Sequence, residues 1–387
     1  LKTALWLYMF LFLAFFDLHA QYPVLTPFAI SLGAAPAFIG WMMGIYALTH
    51  LPGNLIAGGL IDRHGSRRYI IFSLTAAGIV LLLQAHVQWP WQLLVLRSIS
   101  GFVLAFLSPA CLALLASLSR DPVTQGKYMS GHGVIHTLAS VLSPAAGAFI
   151  VANTGFSGTF QSLGWLLILT GLMAYLSLPK RAPVPANSAS PETGDKKETD
   201  ARLPFSLRLY LLPFAIACSQ GILFFEIPLR ESGKASILST GLLFSVVSLG
   251  ALITLCMLFL NRYEPYPRVA FGMLGFALCF YALAGIGQIP LTAILFILGL
   301  CKGILFPALS SLFIELSGGT RLGRVFSYQS IAMSLGSFAG PIAAGQLRAF
   351  ISPYFIAFVL LMVVLMLLPN QRRPVERIRP ADQPIST

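Results

Sequence analysis

The sequence predicts an all-α polytopic membrane protein, with twelve transmembrane helices arranged as two pseudo-symmetric six-helix bundles. Three observations carry this. Mean hydropathy is +0.81, and only 10% of residues are charged, against roughly 25% in a soluble domain. Apolar segments of about 20 residues, the length that crosses a bilayer, begin near residues 4, 37, 69, 91, 127, 160, 206, 235, 269, 291, 324 and 352. The basic residues between those segments fall almost entirely on alternate sides.

Taken in chain order, the first apolar run extends from about Ala4 to Ile30. It is too long for a signal-peptide core and has no small-residue cleavage site, so it reads as a retained first span; Leu1 in place of Met reads as a trimmed or missing end. One side of the alternation holds Lys2, Arg63, Arg67, Arg68, Arg120 and Lys127. The middle segment adds Lys180, Arg181, Lys196, Lys197, Arg202 and Arg208, and Arg262, Arg268, Arg321, Arg324, Arg372, Arg373, Arg377 and Arg379 complete it. The other side holds Arg230, Lys234 and Arg348, while Arg97 and Lys302 lie inside spans. Twenty of the 25 basic residues against three places both termini in the cytoplasm by the positive-inside rule. The net charge of +12 thus reports orientation in an anionic leaflet and not a nucleic-acid partner.

Between Lys180 and Pro204 the chain turns polar, with Pro-Lys-Arg-Ala-Pro-Val-Pro followed by Pro-Glu-Thr-Gly-Asp-Lys-Lys-Glu. Such sequence cannot bury a core and reads as a flexible cytoplasmic linker. The expected organisation is a six-helix bundle over 1–179, the linker over 180–205, a second bundle over 206–369 and a cytoplasmic tail over 370–387. The halves also resemble each other. A slide of 198 residues aligns Gly101, Leu107, Pro109, Ala110, Leu118 and Ser119 with Gly299, Leu305, Pro307, Ala308, Leu316 and Ser317. A slide of 197 then aligns Gly126, Ser130, Leu138, Ser140, Pro144 and Ala146 with Gly323, Ser327, Leu335, Ser337, Pro341 and Ala343. Prolines matched in two consecutive spans make spans 4–5 and 10–11 equivalent units of a duplicated half, as in transporters whose halves rock about a central site.

Residues 58–68 read Gly58-Gly-Leu60-Ile-Asp62-Arg63-His-Gly65-Ser-Arg67-Arg68, between spans 2 and 3. This resembles motif A of the major facilitator superfamily, and the expected architecture is the major facilitator fold. Glycines there let helices turn and pack closely. Asp62 can face a helix N-terminus of the other half while Arg63 or Arg67 bridges to an acidic neighbour, with Asp121 the candidate partner. Such contacts would latch one side shut in one state and break in the other. Arg97-x3-Gly101-x3-Ala105 is similar to motif B, whose arginine the family links to proton coupling. Ala139-x3-Ser143-Pro144-x2-Gly147-Ala148 resembles motif C of exporters, and Gly336-x3-Gly340-Pro341-x2-Ala344-Gly345 repeats the pattern in span 11. Small residues with a proline permit tight, bendable packing. Asp17-x5-Pro23-x3-Pro27 in span 1 looks like the pattern of drug:proton antiporters.

Asp17, Arg97, Glu226 and Lys302 lie inside spans 1, 4, 7 and 10. Each unpaired charge near the bilayer centre costs about 2.5–3.5 kcal/mol, so the four must pair or face water. The resemblance implies that these four spans line one central cavity. Asp17 is then the expected protonatable carboxylate, with Arg97 biasing its ionisation and His19 a candidate relay. Glu226, Lys302 and His50 are candidates for substrate contact, or alternatively for static helix–helix contacts. The five cysteines (Cys111, Cys218, Cys256, Cys279, Cys301) sit inside apolar runs at no metal-ligand spacing, so neither a disulfide framework nor a metal site is expected.

No phosphate-binding loop, metal spacing or nucleophile arrangement appears, so no enzymatic activity and no cofactor are expected. The leading expectation is a monomeric secondary transporter of the cytoplasmic membrane. It would export a small amphipathic or drug-like substrate in exchange for protons. The alternative is uptake or facilitated transport of an organic anion or lipid-like substrate, and a third reading is a non-transporting membrane sensor.

Overall fold

The computed structural model describes residues 2–118, 122–179, 207–231, 237–285, 289–317 and 322–368. Among the described residues the chain is helical, without a strand. Helices α1 (Lys2–Ala20) and α2 (Tyr22–Ser31) share the first span and break at Gln21. Pro23 has no N–H for the His19 carbonyl, and its ring crowds that carbonyl, so the ladder is interrupted there. α3 (Pro36–His64) starts on a proline in its first turn and ends at Gly65, where φ is +85°. A side chain would strain that conformation; glycine adopts it freely. α4 (Ser66–Gln84) follows.

The fourth span divides into α5 (Pro90–Leu104) and α6 (Leu107–Ser117). Pro109, four residues after Ala105, breaks the ladder as Pro23 does in the first span. α7 (Pro122–Ser177) runs through two spans and turns at Gly155, with φ +70° and ψ −178°. The second half comprises α8 (Leu211–Glu231), α9 (Ile237–Cys256), α10 (Pro265–Gly285), α11 (Leu291–Leu316), α12 (Leu322–Leu347) and α13 (Pro353–Met366). With the two breaks and the Gly155 turn taken into account, these helices supply the twelve spans of the major facilitator fold.

The predicted starts shift locally. The seventh span enters through a 3-10 turn at Leu207–Tyr210 before α8, and the fifth and sixth spans part at Gly155 rather than near residue 160. The linker over 180–205, the tail over 370–387 and Asp121 lie outside the described residues. Among the described residues, eight helical stretches are individually long and apolar enough to cross a membrane. The long helices α3 and α12 are not among them, since both turn polar residues toward a central cavity: His50 and Asn54 on α3; Ser330, Ser334 and Ser337 on α12.

Close backbone approaches hold the helices together. Gly147 on α7 lies against the Ala20 backbone of α1, while Gly336 and Gly340 on α12 lie against Phe214 and Cys218 of α8. Two further approaches join the first-half helices to the second-half helices. Gly40 on α3 meets the Pro341 carbonyl of α12, and Gly241 on α9 meets the Pro144 carbonyl of α7. Pro144 and Pro341 are the prolines matched by the internal repeat, so the two crossings are related by the same pseudo-symmetry. Nearby, a Cβ at Gly44 would stand 2.6 Å from the Phe338 carbonyl oxygen. Gly40 and Gly44 occupy the first turns of α3, whose last turn carries Asp62 and Arg63. The α3–α12 crossing is therefore at the end of the bundle remote from the 58–68 loop.

Replacing Gly40 with leucine drives a side chain into the Pro341 backbone, and overpacking of this kind costs about 1–3 kcal/mol. Gly40→Leu is expected to lower the thermal unfolding midpoint of the purified protein in detergent. At Gly58 a Cβ would meet no atom within 4 Å, so Gly58→Leu is expected to leave the midpoint unchanged. Equal melting of the two variants would contradict the assigned crossing.

Candidate functional site

A cavity of about 870 Å³ lies between the two sets of helices, walled by α1, α2, α3, α5, α6, α7, α8 and α12. At the remote end Tyr22 of α2 stacks on Phe224 of α8, with ring centroids 4.3 Å apart and planes 6° from parallel. Phe244 of α9 meets the edge of Phe224 at 5.2 Å and 74°. Together with the glycine crossings, these rings close that end. In the other direction the wall continues through Asn54, Leu112 and Ser330 toward the end bearing residues 58–68. Most of the surface between is aliphatic or aromatic, including Leu18, Met43, Leu104 and Met333.

A buried polar chain stands beside the cavity. Asp17 is 1% exposed, and its Oδ1 accepts a 2.8 Å hydrogen bond from Gln21 Nε2. The Gln21 Oε1 accepts a 2.8 Å bond from Arg97 Nη1. The carboxylate and guanidinium are thus coupled through an amide. Arg97 also lies over the Tyr46 ring, 4.7 Å from its centroid, an attraction strengthened where water is excluded. Arg97 reaches the cavity wall, whereas Asp17 sits behind it. The break at Gln21 makes this possible: the kink turns the end of the first span and brings residue 21 between its own helix and α5.

His50 is on the wall and shares a 2.8 Å hydrogen bond with Asn54 one turn on, while its ring lies 5.7 Å from that of Tyr46. His19 Nδ1 donates to the Phe15 carbonyl at 2.7 Å, which fixes the proton on that nitrogen. The His19 ring is 5.2 Å from His136 of α7, and Phe15 packs edge-on against both His132 and His136. Ser108 Oγ is 3.3 Å from His132 Nε2. Lys302 on α11 comes within electrostatic reach of His19 and His136, its ammonium 5.9 Å from the Phe306 ring centroid.

The remaining candidates lie elsewhere. Glu226 is not on the cavity wall: its Oε1 accepts from Arg348 Nη2 at 3.2 Å, a salt bridge between α8 and the turn after α12. Lys302 is likewise absent from the wall itself. Gly147, Gly336, Gly340, Pro144 and Pro341 serve the packing described above. In the 58–68 loop, Asp62 and Arg63 are exposed and form no hydrogen bond or ion pair with a described residue, and Gly58 faces open space. His64 is within 3.2 Å of the Tyr69 hydroxyl, and Arg67 makes the loop's longer-range contact. Its Nη2 donates to the Tyr175 carbonyl at 2.6 Å and its guanidinium lies over the Tyr175 ring, tying α4 to the end of α7.

Several participants are invisible to residue-by-residue reading. Gln21 carries no charge, yet it bridges the two ions; its spacing of four from Asp17 is the one available signal. Tyr22, Tyr46 and Phe224 are three aromatics among many. Gly40 and Gly241 belong to no recognised motif, and only their position opposite the repeated prolines marks them.

The sequence matches the Major Facilitator Superfamily over residues 7–290 and 260–387. It is similar to the multidrug resistance protein MdtG of Rahnella sp. (strain Y9602), with 26% identity over 344 residues, 84% of this chain and 81% of that protein. Among solved structures it is similar to the nucleoside transporter NupG, with a TM-score of 0.74 and 16% identity, covering 94% of this chain and 98% of that one. A bacterial homologue of the human lysosomal transporter Spinster gives a TM-score of 0.74 at 15% identity, covering 94% and 91%. The family match, the twelve-span fold and a central cavity between repeated halves agree: this chain is a multi-pass membrane protein of the Major Facilitator Superfamily, a family of secondary transporters and not of enzymes.

Proposed function

We propose that the chain exports small amphipathic compounds in exchange for protons, by alternating access to the central cavity. One observation carries this reading: a buried carboxylate, Asp17, is linked through Gln21 to Arg97 on the wall of a cavity closed at one end. A carboxylate without water has two remedies, a proton or a cation. If the rocking of the halves strains the Gln21 link, the balance between those remedies changes with state, and a proton is taken from one side and given to the other. The wall's mixture of aliphatic and aromatic surface with few polar groups suits an amphipathic ligand. The similar proteins named for multidrug resistance support the direction of transport.

The same reading assigns orientation and gating. The basic loops face the cytoplasm along with both termini, so the cavity is open inward in this structure. Residues 1–179 and 206–369 are the rocking bundles, joined by 180–205, and a monomer suffices for transport. Asp62 and Arg63 are disengaged here because the inner side is open. On closure Asp62 would meet a helix end of the opposite half and Arg63 an acid such as Asp121, while Arg67 stays with Tyr175.

In inverted vesicles with an acidic lumen, Asp17→Asn and Arg97→Ala are expected to insert at normal levels yet reduce gradient-driven substrate movement to the background of protein-free membranes. Full movement in both variants would remove Asp17 and Arg97 from the coupling step. Gln21→Leu separates the link from the charges. It strands a buried acceptor and a buried donor, a cost of about 1–3 kcal/mol each, and is expected to lower thermal stability together with the coupling ratio of protons to substrate. In whole cells, loss of the protein should raise intracellular compound, and an uncoupler should reproduce that rise; a fall in accumulation would instead favour uptake.

A further inference from the structure

Of the four charges placed inside spans, three are matched. Asp17 and Arg97 are joined through Gln21, and Glu226 is paired with Arg348. Lys302 is the exception: among the described residues it has no carboxylate partner and no hydrogen-bond acceptor, only the Phe306 ring. An ammonium carries three donors, and a half-buried one without an acceptor is costly. Its neighbours repeat the imbalance. His19 and His136 lie within its electrostatic reach, and His132 and His136, one turn apart, are on the cavity wall. Across the described wall the ionisable side chains are Arg97, His50, His132 and His136 with the phenols Tyr22 and Tyr46; no carboxylate is among them.

We infer that the cavity receives an amphipathic organic acid, whose anionic group is held against His132 and His136 on the wall, within the field of Lys302, and whose apolar body lies along the aliphatic and aromatic wall. This rests on the cavity being the substrate pathway proposed above. Arg97 is the weaker candidate for the acid. Its Nη1 is taken by Gln21, its face by Tyr46, and the Asp17 charge behind Gln21 offsets its field. The histidine–lysine side has no such offset among the described residues. Charge, geometry and surface then agree on one pose: Phe15, itself on the wall and set edge-on to both imidazoles, orients the rings beside the ligand. A cationic compound would find no carboxylate on the described wall and the Lys302 charge within reach, so the site discriminates by repulsion as well as attraction.

The test uses the full-length protein in nanodiscs with two matched fluorescent probes, dansylglycine, which is a carboxylate, and dansylglycinamide, its neutral amide. Anisotropy titrations should show the carboxylate binding about tenfold more tightly than the amide, or more. Lys302→Gln should collapse that ratio toward one, Lys302→Arg should keep it, and His136→Gln should reduce it partway. Equal binding of the two probes to the unaltered protein would overturn the inference. So would absence of carboxylate binding at millimolar concentration, or a ratio indifferent to Lys302→Gln. Proton-driven flux is measured separately in liposomes. Carboxylate selectivity without coupled flux leaves this site standing and removes the proton-exchange reading; coupled flux without selectivity does the reverse.

Discussion

The architecture depends on two places where a glycine of one half meets a proline carbonyl of the other: Gly40 against Pro341 and Gly241 against Pro144. In a bilayer, helix association gains nothing from hiding apolar side chains, since lipid is equally apolar; close backbone packing has to supply the attraction. Removing Cβ at these two positions lets α3 approach α12 and α9 approach α7 closely enough for extensive contact. Because both crossings exist, the Tyr22–Phe224 stack can close one end. Because that end is closed and the other has no comparable crossing at its described glycines, the space between the halves is a one-mouthed cavity.

The buried ionic groups are consequences of the same frame. Pro23 breaks the first span at the depth where Gln21 can reach both Asp17 and Arg97, and Pro109 breaks the fourth just beyond Arg97. Helices broken within a span free polar groups where irregular backbone is tolerated, beside a cavity and inside protein. The cost of burying Asp17 and Arg97 is offset by one amide and one aromatic face instead of a direct ion pair. An indirect link of this kind is easier to alter by a small movement than a bidentate carboxylate–guanidinium contact.

Much of the fold was legible in the sequence because its signals are one-dimensional. Span length, the alternation of Lys and Arg, and the repeat of Pro109 and Pro144 at Pro307 and Pro341 need no tertiary knowledge. The interior charges were legible for the same reason, as rare polar residues in apolar runs. Their partners were not. Glu226 and Lys302 look alike in sequence, each a single charge in a span, but Glu226 finds Arg348 across the helix ends while Lys302 lies near the Phe306 ring without a carboxylate partner among the described residues. Gln21 and Tyr46 escape notice since an uncharged amide and a tyrosine are ordinary in membrane helices. Their importance arises only when α1, α3 and α5 are brought together. The state of the 58–68 loop is equally unreadable, because the engagement proposed for Asp62 and Arg63 depends on conformation and not on residue type.

The Tyr22–Phe224 stack has one more consequence. An aromatic pair contributes only about 0.5–1.5 kcal/mol beyond its buried area, so it adheres weakly, and it is flat enough to slide before it separates. The glycine crossings, by contrast, have no side chain to unlock and can roll in place like an axle in a bearing. A molecule built this way puts its stiffness at the pivot and its weakest joint at the rim. Of the contacts that hold that end shut, the two rings are then the first to yield and the crossings the last.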